Sequence, residues 1–241
     1  MSRGPWKKKL EAGPAPKRRV DVVIPSLRKP HLALCEMSLE NLPFDYDLHV
    51  ISDVQGWPQA VNAGLAKTKG DVVLLDDDII MLPQTFENFE AFYDKADIFG
   101  FKLFFPDGSI QHAGGIFRDG QIRHIGFRDQ DRPEYGVPRY VCHATTSLVY
   151  IKRSALDKLV GMAVDYPGVQ FEDVDFSYRA LKAGLKILQL PSPAIHYESF
   201  TKKQSFTFES KMRLNAQEIF KRYHADHNFA KVLESYPKAL A

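Results

Sequence analysis

From Val20 onward, short apolar runs alternate with longer amphipathic segments. VDVVIP at 20–25, LHVIS at 48–52 and VVLL at 72–75 are too short and too β-branched for helices and are bounded by turn residues, which predicts strands. Between them, Leu32, Cys35 and Leu39 share one face of a helix over about 31–41, and Ala60, Val61 and Leu65 do so over about 58–67, with Gly70 placed for a cap and turn. Strand and helix alternating through short connections predict a parallel, doubly wound sheet, with Val72–Leu75 buried on both faces. Further on, Phe86, Phe89 and Phe92 mark a helix over about 84–93, and DIFGFKLFF at 97–105 a strand. The turn residues Pro106–Ser109 predict a hairpin into IQHAGGIF at 110–117. Residues 118–139 lack periodicity and are expected to form a lid or a disordered loop. A strand over 146–152, a short helix capped by Ser154 and a loop over 161–169 precede a helix over 171–184, where Val174, Tyr178 and Leu181 fall on one face. A last strand covers 186–190.

The chemistry sits at the ends of these elements. Ser26 follows the first strand, Asp53 the second, and Asp76, Asp77 and Asp78 the third, so a parallel sheet gathers them along its carboxyl edge, where ligands bind in open α/β sheets. Three adjacent carboxylates repel one another and resist burial, which points to a cation that holds them. Read alone, the triplet is also compatible with a solvated acidic turn whose Asp78 begins the next helix. Glu172, Asp173 and Asp175 occupy the first turn of the 171–184 helix, where the helix dipole favours acids by about 0.3–1 kcal/mol each. His196 lies just past the last strand.

Composition narrows the possibilities. At 241 residues, with 44% apolar and 26% charged residues, the chain is expected to form one globular domain. No apolar run reaches the roughly 20 residues of a membrane span, the start lacks a secretory pattern, and two cysteines make neither a disulfide framework nor a four-cysteine zinc site, so the expected location is the cytoplasm. The net charge of +2 is uneven: residues 1–19 hold seven Lys or Arg against one Glu, which leaves −4 for the rest. Residues 1–19 are expected to be a flexible basic tail, and 201–241 a basic helical extension that packs on the domain through Phe206, Phe208, Met212, Leu214 and Phe220.

The order of signals resembles the family 2 glycosyltransferases: VVIPS at 22–26, Asp53, AVNAGLAKTKGDVVLLDDD at 60–78, PDGSIQHAGG at 106–115, FEDVDFSYRALKAGLKI at 171–187, and His196. The resemblance covers roughly 20–200 and implies a GT-A fold, a Rossmann-like, mostly parallel central sheet flanked by helices. It implies a hexosyltransferase-type enzyme that moves a sugar from a UDP-, GDP- or dTDP-linked donor to a hydroxyl of a saccharide, a glycoconjugate or a modified DNA base, with inversion. Carried over residue by residue, Asp76, Asp78 and His196 would hold Mn2+ or Mg2+, with the imidazole favouring Mn2+. Asp77 would face the sugar or its ribose, and Pro25, Ser26, Asp53 and Asn62 would line the nucleotide pocket. Asp173, with Glu172 second, would be the base, and His143 would lie where the acceptor approaches, whereas His112 reads as structural. A retaining transferase would not need that base. A nucleotidyltransferase would need a glycine-rich loop after the first strand, where PSLRKPHL has no glycine. A non-catalytic nucleic-acid-binding protein would rest on the basic tail alone.

Overall fold

The computed structural model describes residues 18–26, 29–118, 121–166, 171–197 and 227–240, with isolated positions between 215 and 221. The expected elements form in the expected order: β1 (Arg19–Pro25), α1 (Lys29–Ser38), β2 (Asp45–Ile51), α2 (Trp57–Leu65), β3 (Asp71–Leu75) and, later, β5 (Ile98–Phe104). β1 pairs in parallel with both β2 and β3. Val20, Val22, Ile24, Val73 and Leu75 enter one core with Cys35 of α1 and with Leu39 in the turn just after it. Val23, Val72 and Leu74 face the other way, into a second core with Val61 of α2. The period of two along each strand thus feeds two helical layers, and Val72 to Leu75 are fully buried. Gly64 lets α2 lie close on β1: a Cβ there would stand 2.4 Å from Val23 Cγ1.

The sheet departs from simple alternation at its centre. Its order is β12 (Lys238–Ala239), β9 (Arg139–Tyr140), β11 (Ile187–His196), β5, β10 (Leu148–Ile151), β3, β1, β2. β10 runs antiparallel to both β3 and β5, while β11 is parallel to β5. Along the run β11, β5, β10, β3, β1, β2, β10 alone points the other way, so the sheet is mostly parallel.

Several expectations are corrected. β2 starts three residues earlier than its apolar run because it is an edge strand, whose exposed Asp47 pairs with Arg19. Arg19 opens β1 and Arg18 bonds Glu90 at 2.9 Å, so these two residues belong to the folded body rather than the basic tail; residues 1–17 lie outside the described part. Only Phe89–Phe92 of the 84–93 segment is α-helical (α3), since its phenylalanines pack from consecutive turns. No helix follows the aspartates; β4 (Ile79–Met81) does, pairing antiparallel with β11. β11 itself runs on to His196 through Pro191 and Pro193, which the sheet accommodates by a register shift between Leu190 and Pro193. Ser154 is inside α4 (Arg153–Leu156), not its cap.

The hairpin into β6 (Ile110–His112) forms, but β7 (Gly115–Arg118) leaves it to pair with β8 (Gln121–His124) in a small separate sheet. Within the segment expected as a lid or disordered loop, β8 and β9 are strands. Lys102, nearly buried, holds both oxygens of Asp131 at 2.8 Å, and Ile110 exchanges backbone bonds with Arg128 and Asp129. At the other end of the chain, helix His227–Glu234 is described and Phe220 packs its ring against Tyr178 at 5.3 Å. Phe206, Phe208, Met212 and Leu214 lie outside the described residues.

Candidate active site

The carboxyl ends of β1, β2 and β3 lie together, and Ser26 N donates to Ile51 O at 2.8 Å. Asp76–Asp78 form the turn between β3 and β4, and its backbone is fixed from two sides: Asp76 N donates to Ser147 O at 2.9 Å and Tyr197 N to Asp78 O at 3.0 Å. The triplet is therefore not a solvated turn. Asp77 and Asp78 are buried and Asp76 half-buried. Each carboxylate has its own direction. Asp76 Oδ1 accepts the Trp57 indole N–H at 2.6 Å. Asp77 Oδ2 accepts the Ser26 hydroxyl at 2.7 Å, which turns the middle acid towards the end of β1. Asp78 Oδ1 lies 3.1 Å from His196 Nε2.

Asp76, Asp78 and His196 each offer a ligand atom, and these atoms lie within 4.8 Å of one another. The far ring nitrogen of His196 decides what they can hold. Nδ1 lies 2.7 Å from Gln111 Oε1, an acceptor, so Nδ1 carries the proton. In a neutral ring Nε2 then directs a lone pair at a carboxylate oxygen, an arrangement that calls for a second proton or a metal ion between them. Two hard oxygens and one imidazole suit a divalent ion of the Mn2+ or Mg2+ kind. Burial, reinforced by Asp78 and opposed by His196, pushes Asp76 up to about 6, so this carboxylate is held at a cost that a cation would offset.

A second pair of acids stands at the start of α5 (Glu172–Lys182), near enough for Asp76 to act electrostatically on Glu172. Phe171, directly before it, has a left-handed backbone with φ of +71°, a strained state for a non-glycine residue where the chain delivers its two acids. Glu172 is buried, and its Oε2 makes no hydrogen bond among the described residues. Burial, then the neighbouring Asp173 and finally Asp76, push Glu172 up to about 8, so it is largely protonated at neutral pH. Asp173 behaves oppositely: burial works to raise it, but His143, 3.1 Å from Oδ2 through Nε2, outweighs this and holds it below the usual range. Its Oδ1 also accepts the Val174 N–H at 2.7 Å. Asp173 keeps about a quarter of its side chain exposed, whereas Asp175 is turned inward to Arg179 at 2.6 Å and Tyr166 at 3.1 Å.

The expected site residues thus fall into groups. Ser26 and Asp77 bond each other, and Asp76, Asp78 and His196 converge. Asp53 is exposed beyond β2. Asn62 is a correction: both ends of its amide are spent on the backbone of Met162, Oδ1 accepting at 2.7 Å and Nδ2 donating at 2.9 Å, so it clamps the 162 loop to α2. His143 is a second correction, for it is fully buried against Asp173 and presents no surface to an acceptor. Two partners had no sequence signal of their own: Trp57 and Gln111. An indole at the start of a helix and a glutamine in a short strand acquire meaning only from what the sheet brings beside them.

No protein-family model matches the chain. The uncharacterized protein y4gI of Sinorhizobium fredii is 28% identical over 187 residues, a match that takes in 70% of this chain and 20% of that protein. The chain therefore spans about a fifth of the length of this curated relative. Among solved structures, GalNAc-T7 with UDP, GalNAc and Mn2+ is similar with a TM-score of 0.55 and 14% identity, over 86% of this chain and 48% of that one. The mannosyltransferase PcManGT from Pyrobaculum calidifontis, in complex with GDP-Man and Mn2+, gives 0.54 and 15%, over 96% and 72%. TarS 1–349 from S. aureus gives 0.51 and 10%, over 88% and 74%. At these identities the likeness is one of fold, and the fold is that of the GT-A glycosyltransferases.

Proposed function

We propose that this protein is a metal-dependent glycosyltransferase that moves a sugar from a nucleoside-diphosphate sugar to an acceptor hydroxyl, with inversion at the anomeric carbon. The observation that carries the reading is the convergence of Asp76, Asp78 and His196, with the His196 proton fixed by Gln111, at the carboxyl edge of the sheet. The presence of UDP or GDP-Man together with Mn2+ in two neighbours of the same fold supports it. A divalent ion held by these three residues would offset the charge that builds on the departing diphosphate. Trp57 and Ser26 hold Asp76 and Asp77 in place, and Ser26 and Asp53 border the nucleotide.

Asp173 is the base. It is ionised and partly open, so it can accept the acceptor's proton, while His143 steadies the carboxylate from behind. Glu172, neutral and buried, keeps a second negative charge away from the place where the diphosphate leaves. The acceptor class this reading favours is a saccharide or glycoconjugate.

Isothermal titration of UDP, GDP and dTDP into the protein, with and without Mn2+ and repeated on Asp78→Ala, tests the reading. Binding of one nucleotide that requires the metal and vanishes in the variant supports it and names the donor class. Absence of binding for every nucleotide with every metal overturns it. Proton NMR of the product's anomeric centre then separates inversion from retention, and retention removes Asp173 from the role of base.

A further inference from the structure

We propose that His112, His124 and His143 form a second metal site, for a single zinc-class ion, separate from the Asp76–Asp78–His196 set. The three come from the end of β6, the end of β8 and the segment between β9 and β10, and their ring nitrogens lie within 4.8 Å of one another. The rings stand at mutual angles, with centroids 4.8, 5.4 and 5.6 Å apart. Their approach depends on Gly115, whose absent Cβ would stand 2.5 Å from His143 Nδ1, and on the Gly115 N–H, which donates to His143 O at 2.7 Å.

Proton accounting leads to a cation. Asp173 accepts at His143 Nε2 and so keeps the ring's proton there, which leaves Nδ1 as a bare lone pair, buried and without a hydrogen-bond partner among the described residues. His112 Nδ1 and His124 Nδ1 lie 3.0 Å apart, a contact that needs one proton between two lone pairs. That proton serves two of the rings and leaves the third unmet; an ion serves all three. Thr145 N–H reaches His112 Nε2 only at 3.4 Å, a long contact that a change of tautomer can give up.

The donor set selects the metal. Three neutral imidazoles without a carboxylate suit Zn2+ and disfavour Mg2+, the reverse of the oxygen-rich set on β3. Nitrogens up to 4.8 Å apart have to draw in to about 3.3 Å of one another to share an ion at the ~2.0–2.1 Å of a tetrahedral Zn–N bond. His112 and His143 are buried while His124 is exposed, so the cluster reaches the surface on the His124 side. A carboxylate behind a ligating histidine, here Asp173 behind His143, is the usual outer partner of such a site. The inference stands independently of the glycosyltransferase reading.

The test is a cobalt titration of the full chain after chelator treatment, carried out on the Asp78→Ala/His196→Ala double variant so that the first site is silent. The expected result is one equivalent of Co2+ with the strong visible absorption of a four-coordinate centre, displaced by Zn2+. His124→Ala, an exposed position whose replacement leaves the core intact by circular dichroism, abolishes the band, and Asp173→Asn weakens binding about 10- to 100-fold. Should the double variant not fold, zinc-edge X-ray absorption on the wild-type protein counts the imidazoles instead, with three expected. A missing band, a band indifferent to His124→Ala, or a zinc shell without three imidazoles overturns the proposal and leaves a hydrogen-bonded histidine cluster.

Discussion

His196 Nε2 meets Asp78 Oδ1 at 3.1 Å because the backbones beneath them are paired. His196 is in register with Ile79 where β11 runs antiparallel to β4, and Tyr197 N–H closes on Asp78 O. The sheet itself, rather than side-chain reach, therefore sets the separation of the two groups, and Gln111 sets which nitrogen faces the acid.

Gln111→Leu tests that last relationship. The His196 ring loses the acceptor that keeps its proton on Nδ1, and affinity for Mn2+ is expected to fall about 10- to 100-fold with the fold unchanged. Electron paramagnetic resonance of free Mn2+ measures it directly. Equal affinity in the variant and the wild type would show that Gln111 does not orient the ligand.

Asp173→Asn separates proton transfer from binding. Turnover is expected to drop by about 10²- to 10⁴-fold while metal-dependent nucleotide binding, measured by calorimetry, stays within a factor of about two of wild type, since the proposed donor and metal residues, Ser26, Asp53, Asp76–Asp78 and His196, belong to other segments of the chain. A parallel loss of nucleotide binding would place Asp173 in donor recognition.

Glu172 gives a pH signature of stability. Its folded value of about 8 stands above its ordinary 4.5, so the folded chain holds this proton more tightly than the unfolded one. The stability it contributes is complete below 4.5 and is lost as pH rises through about 8. In chelator, wild type is expected to lose a few kcal/mol relative to Glu172→Gln between those limits. Urea melts at several pH values check this, and curves that stay parallel would refute it.

Gly64→Ala tests the packing of α2 on β1. The added methyl would meet Val23 Cγ1 at 2.4 Å, so the helix must lift, at an expected cost of about 1–3 kcal/mol measured by urea denaturation. A neutral result would mean that the helix adjusts freely.

Much of this architecture was legible in the chain because local rules and global fold agree. Val72–Leu75 reads as a core strand and is one; the acids after it and at 172–173 fall where the sheet edge and helix start place them. What was hidden depends on distant pairing. Three residues, Ile79 to Met81, carry too little pattern to announce a strand, and β11 continues through two prolines only because β5 and β4 hold it on both sides of its irregularity. The direction of β10 has no local signal, as its apolar run would serve a parallel strand equally well. His112, His124 and His143 are too far apart in sequence to suggest a cluster; the β5–β6 pairing, the small β7–β8 sheet and the bridge between Gly115 and His143 together bring them side by side.

The insertion of β10 between β3 and β5 also bears on how the protein assembles. β3 is complete in its residues by Leu75, yet one of its neighbours is supplied by residues 148–151, and the far side of β5 by residues 187–195. Loops of this length must close before the pairing rewards them, which makes such contacts slow to form. The first half of the chain can thus display its aspartates with an open strand edge beside them. On the proposed metal reading, affinity would then report the docking of β11: the carboxylates gain their histidine only when that strand pairs with β4.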